Sequence, residues 1–205
     1  MRAEDVMSTP VVTVREDASA KAAIALLTSH GFTALPVLDE RDRLVGVVTE
    51  ADLMRDRVLP DPRGLIWRDE TPGTAVPAAA VRDVMTSPAV TVRKGADIAE
   101  VAKVLLEKHF RCVPVVDGTT LVGVVSRRDL LSTLARDDLD IVADVRHRLA
   151  AYGGVGRWAV SVRDGVVTVV DEFDDHNDRH VATVLAQSVP GVQAVTVTAR
   201  LDQHV

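Results

Sequence analysis

The sequence predicts a mixed α/β (α+β) protein: two pseudo-symmetric β-α-β-β-α units packed sheet to sheet, followed by a small α-β-β-α-β domain. Three observations carry that prediction. Residues 5–15 read DVMSTPVVTVR and residues 83–93 read DVMTSPAVTVR, one phrase written twice at an offset of 78. GVVTEADL (Gly46–Leu53) returns as GVVSRRDL (Gly123–Leu130) at an offset of 77. After Leu139 the repeat is gone and alternating strands around an Asp-Gly turn begin.

Each copy has the same order of elements. VVTVR or AVTVR is a short strand. A helix follows with apolar residues at three- and four-residue spacing: Ala22, Ala23, Leu26 and Leu27 in the first copy, Ile98, Val101, Val104 and Leu105 in the second. Asp17 or Ser19 caps the first of these helices and Asp97 the second. Two β-branched strands come next, LPVLD then LVGVVT and VPVVD then LVGVVS. The one-residue change of offset falls in the turn between them, DERDR against DGTT, where a hairpin tolerates it. A last helix opens at Thr49 or Ser126. A unit of roughly 60 residues buries both faces of its sheet poorly alone, so the copies are expected to pair. The domains are residues 1–58, 78–136 and 139–205. Residues 59–77, with four prolines and two glycines, read as an ordered connector anchored by Trp67, with a mobile tether as the alternative.

In the tail, Ile141, Val145 and Leu149 share one helical face. WAVSVRDGVVTVV (Trp158–Val170) is a hairpin about Asp164–Gly165. A helix over about His176–Ser188 and a strand within Pro190–Leu201 complete it.

Composition narrows the function. Apolar residues at 47% and charged residues at 26% describe a folded chain rather than a disordered one. The net charge of −6 opposes general affinity for nucleic acid or anionic lipid. One cysteine, Cys112, makes no internal disulfide and suits a reducing cytoplasm. The acidic start lacks the basic and apolar runs of a signal peptide, and no apolar run is long enough for a membrane helix. The expected location is the cytoplasm.

The repeated phrase admits two readings. Thr49-x-x-Asp52 and Ser126-x-x-Asp129 are capping boxes, useful to any helix. The same atoms suit a ligand: a helix opening holds a phosphate, a carboxylate one turn in accepts vicinal hydroxyls, and Gly46 and Gly123 permit close approach. The D-V-M-x-x-P-x-x-V opening, the P-V-V/L-D strand and G-V-V-[ST]-x-x-D-L together resemble a tandem pair of CBS domains over residues 1–136. The resemblance implies two clefts that bind adenine nucleotides. It implies Asp52 and Asp129 on ribose hydroxyls and Thr49 and Ser126 beside phosphate. Contacts to the base fall near Thr13, Val14, Thr91 and Val92, and on the strands near Thr33 and Arg111. It also implies a homodimer.

The copies differ where a ligand's charge would matter. The first has Thr33, Glu50 and Ala51 where the second has Arg111, Arg127 and Arg128. Aligned on one another, these place Arg111, Arg127 and Arg128 around phosphate at the second site, which then favours phosphorylated ligands.

The tail's V-x-D-G-x-V-x-V and V-P-G-V-x-x-V resemble a BON domain, with Asp171 where that family often has glycine. The family implies an interaction module, sometimes at phospholipid surfaces. Nine acidic residues against six arginines from Leu139 onward favour a protein partner over a membrane. His176 and His180 lie one turn apart, but surface placement accounts for them and no metal is expected. No nucleophile–base set and no phosphate-binding glycine loop is present, so the expectation is binding without catalysis and without a catalytic cofactor. The alternative is a ligand-free dimerising scaffold in which both phrases only cap helices.

Overall fold

The computed structural model describes residues 1–55, 57–58, 80–173 and 175–200. The expected connector over 59–77, with Trp67, lies outside the described residues. The first copy runs β1 (Val14–Arg15), α1 (Ala20–His30), β2 (Ala34–Leu38), β3 (Leu44–Thr49) and α2 (Glu50–Met54). The second runs β4 (Val92–Arg93), α3 (Ile98–Glu107), β5 (Cys112–Asp117), β6 (Thr120–Ser126) and α4 (Arg127–Leu134). The tail is α5 (Asp138–Gly153), β7 (Trp158–Arg163), β8 (Val166–Asp171), α6 (His176–Gln187) and β9 (Ala194–Ala199). The expected mixed α/β architecture, two β-α-β-β-α copies and an α-β-β-α-β tail, is therefore present. Two compact units gather these elements: Ser8–Lys94 with Lys103–Val125, and Met1–Met7 with Gly95–Ala102 and Ser126–Val205.

In the first of these units, β1-β2-β3 and β4-β5-β6 form two three-stranded sheets. β1 is parallel to β2, with Val14 opposite Val37, and β2 is antiparallel to β3. Ser19, not Asp17, caps α1 by accepting from the Ala22 N–H at 3.1 Å. Gly31, at φ 65°, closes that helix in the left-handed conformation. Leu27, Leu35, Val37, Val48 and Leu53 are buried with Val81, which comes from the opening of the second copy. Each fully buried aliphatic side chain contributes about 1.5–3 kcal/mol.

The two copies exchange their openings. Ser8 pairs with Val124, and 78 and 77 residues away Thr86 pairs with Val47. The second exchange is held by the Val47 N–H on Thr86 O at 3.0 Å and the Thr86 N–H on Val47 O at 2.9 Å. Arg2 meets Asp97 as Ser19 meets Ala80. The repeated aspartates of the openings have matching duties: Asp5 accepts from the Arg2 N–H and Asp83 from the Ala80 N–H. A duplicated phrase thus serves as a reciprocal strap, the opening of each copy pairing with the other copy.

The β2–β3 turn is organised by Asp39. Its Oδ1 accepts the Arg41 and Arg43 N–H groups at 2.9 and 2.8 Å, and its Oδ2 accepts Arg43 Nε at 2.7 Å. The Arg43 amide, then the Arg43 guanidinium, hold this carboxyl below the usual carboxylate range. Stability from a lowered acid is present above the unfolded value near 3.9 and is lost as pH falls below it through the lowered folded value. Asp39→Asn is therefore expected to flatten the acid limb of a Tm-against-pH curve below about pH 4. An unchanged acid limb would count against this role.

In the other unit, Asp137 caps α5 by accepting the Leu139 N–H at 2.8 Å. Ile141, Val145 and Leu149 are buried on β7 and β8 with Trp158, Val160, Val167 and Val169. Asp164 and Gly165 take φ 51° and 74°, the paired left-handed turn that joins tightly twisted strands. Asp138 accepts both of their amides, at 2.8 and 3.0 Å, and so ties that turn to the start of α5. Beside β8 runs β9, in parallel.

Candidate functional site

Both helix openings are closed capping boxes. At α2 the Thr49 N–H and hydroxyl donate to Asp52 Oδ2 at 2.9 and 2.7 Å, and the Asp52 N–H donates to Thr49 Oγ1 at 3.2 Å. At α4 the Ser126 N–H and hydroxyl donate to Asp129 Oδ2 at 2.7 and 2.6 Å, and the Asp129 N–H donates to Ser126 Oγ at 3.2 Å. The hydroxyl hydrogens point at the carboxylates, which fixes Asp52 and Asp129 in place through Oδ2. Among the described residues Asp52 Oδ1 takes no hydrogen bond. An ionised carboxylate held this way accepts a pair of hydroxyls without first ordering its side chain.

The first turns of the two helices differ in charge. The first N–H of α2, from Glu50, is spent on Thr33 O at 3.1 Å, so Thr33 supports the helix opening through its carbonyl. α2 is only five residues long and carries Glu50 in its first turn, which opposes an anion there. α4 is eight residues long and carries exposed Arg127 and Arg128. Arg111, aligned with the second opening in the sequence, lies elsewhere: its Nη1 is 2.9 Å from Glu50 Oε1. Its charge neutralises the acid of the first opening, an exposed pair of at most about 1 kcal/mol. The sequence alignment of the copies hides this because it sets Arg111 against Thr33, whereas the fold sets it against Glu50, 61 residues away.

Thr13 and Val14 sit at the start of β1, half-buried and buried, while Thr91 and Val92 at β4 are exposed and half-buried. What approaches Gly46 is protein: a Cβ there would stand 2.8 Å from Thr86 O and from Met85 Sδ. Gly123 is buried. His176 and His180 are exposed on α6, and among the described residues no group of three or more His, Cys, Asp or Glu could hold a metal ion. Two neighbours of Asp129 escaped the sequence reading. Arg136 and Pro190 border with it a pocket of about 350 Å³. Pro190 lies outside the repeat and Arg136 has Leu59 as its counterpart in the first copy, so no symmetry argument could point to them.

Comparison with known proteins fixes the family. The CBS domain model matches twice, over residues 3–58 and 81–136, more than half of the chain. The chain belongs to the CBS domain family. CBS-domain proteins are generally regulatory. An uncharacterised protein of Methanocaldococcus jannaschii is 34% identical over 132 residues, 63% of this chain and 31% of that one. A second from the same organism is 30% identical over 154 residues, 65% of this chain and 91% of its own length. Among solved structures, CBSX2 in complex with AMP matches with a TM-score of 0.52 at 30% identity, covering 64% of this chain and 93% of that one. No described helix is long and apolar enough to cross a membrane.

Proposed function

We propose that this chain is a non-enzymatic regulatory protein that binds adenine nucleotides of the AMP, ADP and ATP class in its CBS pair. The observation that carries the reading is the twice-made Thr/Ser–Asp box, in which each carboxylate is fixed by a hydroxyl and an amide. The AMP complex of CBSX2 supports the same ligand class. Asp52 and Asp129 take ribose hydroxyls. Thr13, Val14, Thr33, Thr91 and Val92 flank the base, and Ser126 and Thr49 stand at the phosphate end. Arg127 and Arg128 favour a phosphorylated ligand at α4. At α2 the acid of Glu50, paired with Arg111, favours an uncharged adenosine moiety or none. The C-terminal segment acts as a BON domain that relays occupancy to a protein partner. The protein works as a cytoplasmic homodimer, and exposed Leu131 and Leu134 on α4 offer apolar area for the second copy.

Calorimetric titration with AMP, ADP and ATP tests the assignment. Asp129→Ala is expected to weaken the phosphorylated ligands at least tenfold, about 1.4 kcal/mol, and Asp52→Ala to leave them within about threefold. Equal loss in both variants would refute the asymmetry. A second reading has its own support, since each hydroxyl hydrogen is committed to its carboxylate: the boxes serve only as caps in a ligand-free dimerising scaffold. No rise in Tm with millimolar nucleotide would favour that scaffold.

A further inference from the structure

We infer that the Asp129 pocket is composite: the C-terminal segment completes its wall, and a nucleotide seated there grips α4 and the 189–191 turn together. This rests on the nucleotide reading and adds the residues through which the C-terminal segment senses the site. The pocket is lined by Asp129, Ser132, Thr133 and Arg136 of α4 and its following turn, by Asp5, and by Pro190. Its volume of about 350 Å³ is at the lower end of small-molecule sites, roughly 300–1,000 Å³.

The wall residue is clamped. Arg136 Nη1 donates to Pro190 O at 2.8 Å while its Nη2 donates to Asp144 Oδ2 at 2.7 Å, so one guanidinium holds the turn and α5 together. Gly191, at φ 93°, presses its backbone into the same joint. A Cβ there would stand 2.8 Å from Ile141 Cδ1 and 3.2 Å from Thr133 O. Thr133 is buried, and its hydroxyl donates to Asp129 O at 2.9 Å. The helical turn that carries Asp129 is thus bonded to the residue the 189–191 turn packs on.

This equipment belongs to the second copy alone. At the offset of 77, Ser132, Thr133 and Arg136 correspond to Arg55, Asp56 and Leu59, with no arginine at the clamp position. The chemistry that fits is a nucleoside phosphate. Asp129 and Ser132 meet sugar hydroxyls, and the Arg136 cation stays compatible with an anion while it holds Pro190. A ligand that contacts Pro190 gains affinity only when the turn is docked. It therefore strengthens docking, and undocking must weaken the ligand by the same factor.

Hydrogen exchange of the full chain with and without AMP, read beside AMP calorimetry, tests the coupling. AMP is expected to slow exchange of amides in residues 189–199 about fivefold or more. Arg136→Ala is expected to weaken AMP at the Asp129 site by a similar factor and to abolish that protection. Asp144→Ala, which loosens the clamp without touching the pocket, moves both readouts the same way and covers the case in which Arg136→Ala folds poorly. AMP bound with unchanged exchange at 189–199, and wild-type affinity in both variants, would overturn the inference and leave the nucleotide reading standing. No AMP binding to the wild type would overturn both.

Discussion

Arg157→Met is expected to destabilise the C-terminal segment by about 3–5 kcal/mol, the usual cost of leaving a buried charge without its partner. Asp171 has no exposed surface, and Arg157 meets it with two parallel bonds, Nε to Oδ1 and Nη2 to Oδ2, each 2.8 Å. The guanidinium also donates to Asp178 at 2.5 Å and lies 4.3 Å over the Trp158 ring. Burial alone would push the Asp171 carboxyl up, but the Arg157 bonds and the Phe173 amide outweigh it and hold it below the usual range. Asp178 is held down by Arg157 and then by the Tyr152 hydroxyl. In the wild type these acids contribute stability above about pH 4 that is lost as pH falls below the unfolded value near 3.9 through their lowered folded values. In Arg157→Met the sign for Asp171 reverses. Burial is then unopposed, its carboxyl rises, and acidification relieves part of the damage. Asp171→Ala should cost less, near the lower end of the range, because Asp178 still pairs with Arg157. Denaturant unfolding followed by Trp158 fluorescence in a Trp67→Phe background measures all three. Equal losses in both variants, with parallel pH profiles, would count against the pairing.

The elements were legible where local signals and tertiary needs agree. Apolar spacing placed α1 and α3, Ser19 and Asp97 stood where caps belong, and Asp164–Gly165 could hardly be anything but a tight turn. The Thr49 and Ser126 boxes were equally readable, since they close within four residues. What distance along the chain hides is partnership. Glu50 and Arg111 are 61 residues apart, Arg136 and Pro190 are 54, and nothing in their immediate neighbours selects one for the other. Asp171 shows the limit from another side. In the sequence it stands only as a departure from the pattern of a resembled family, yet it is fully buried, because Arg157 supplies the charge that burial demands.

Gly46 carries the second large effect. Gly46→Val is expected to destabilise the paired copies by about 1–3 kcal/mol, the cost of forcing atoms into a filled interior. The new Cβ would stand 2.8 Å from the carbonyl oxygen of Thr86, a backbone atom that cannot rotate away, and 2.8 Å from Met85 Sδ, which can. Relief therefore requires the strap itself to move, stretching the 3.0 and 2.9 Å bonds between Val47 and Thr86. Met85→Ala should restore little of the loss, because the carbonyl remains. Gly95→Ala is the control: nothing lies within 4 Å of its Cβ position and its φ is not positive. Reducing the freedom of the unfolded chain there should be neutral or stabilising by up to about 1 kcal/mol. The comparison separates two duties for the repeated glycine. If Gly46 served only to let a nucleotide near the backbone, Gly46→Val would melt with the wild type in the absence of ligand and lose only affinity. A melting temperature lowered without any ligand present assigns the glycine to the exchange of openings, on which the pseudo-symmetry of the pair depends.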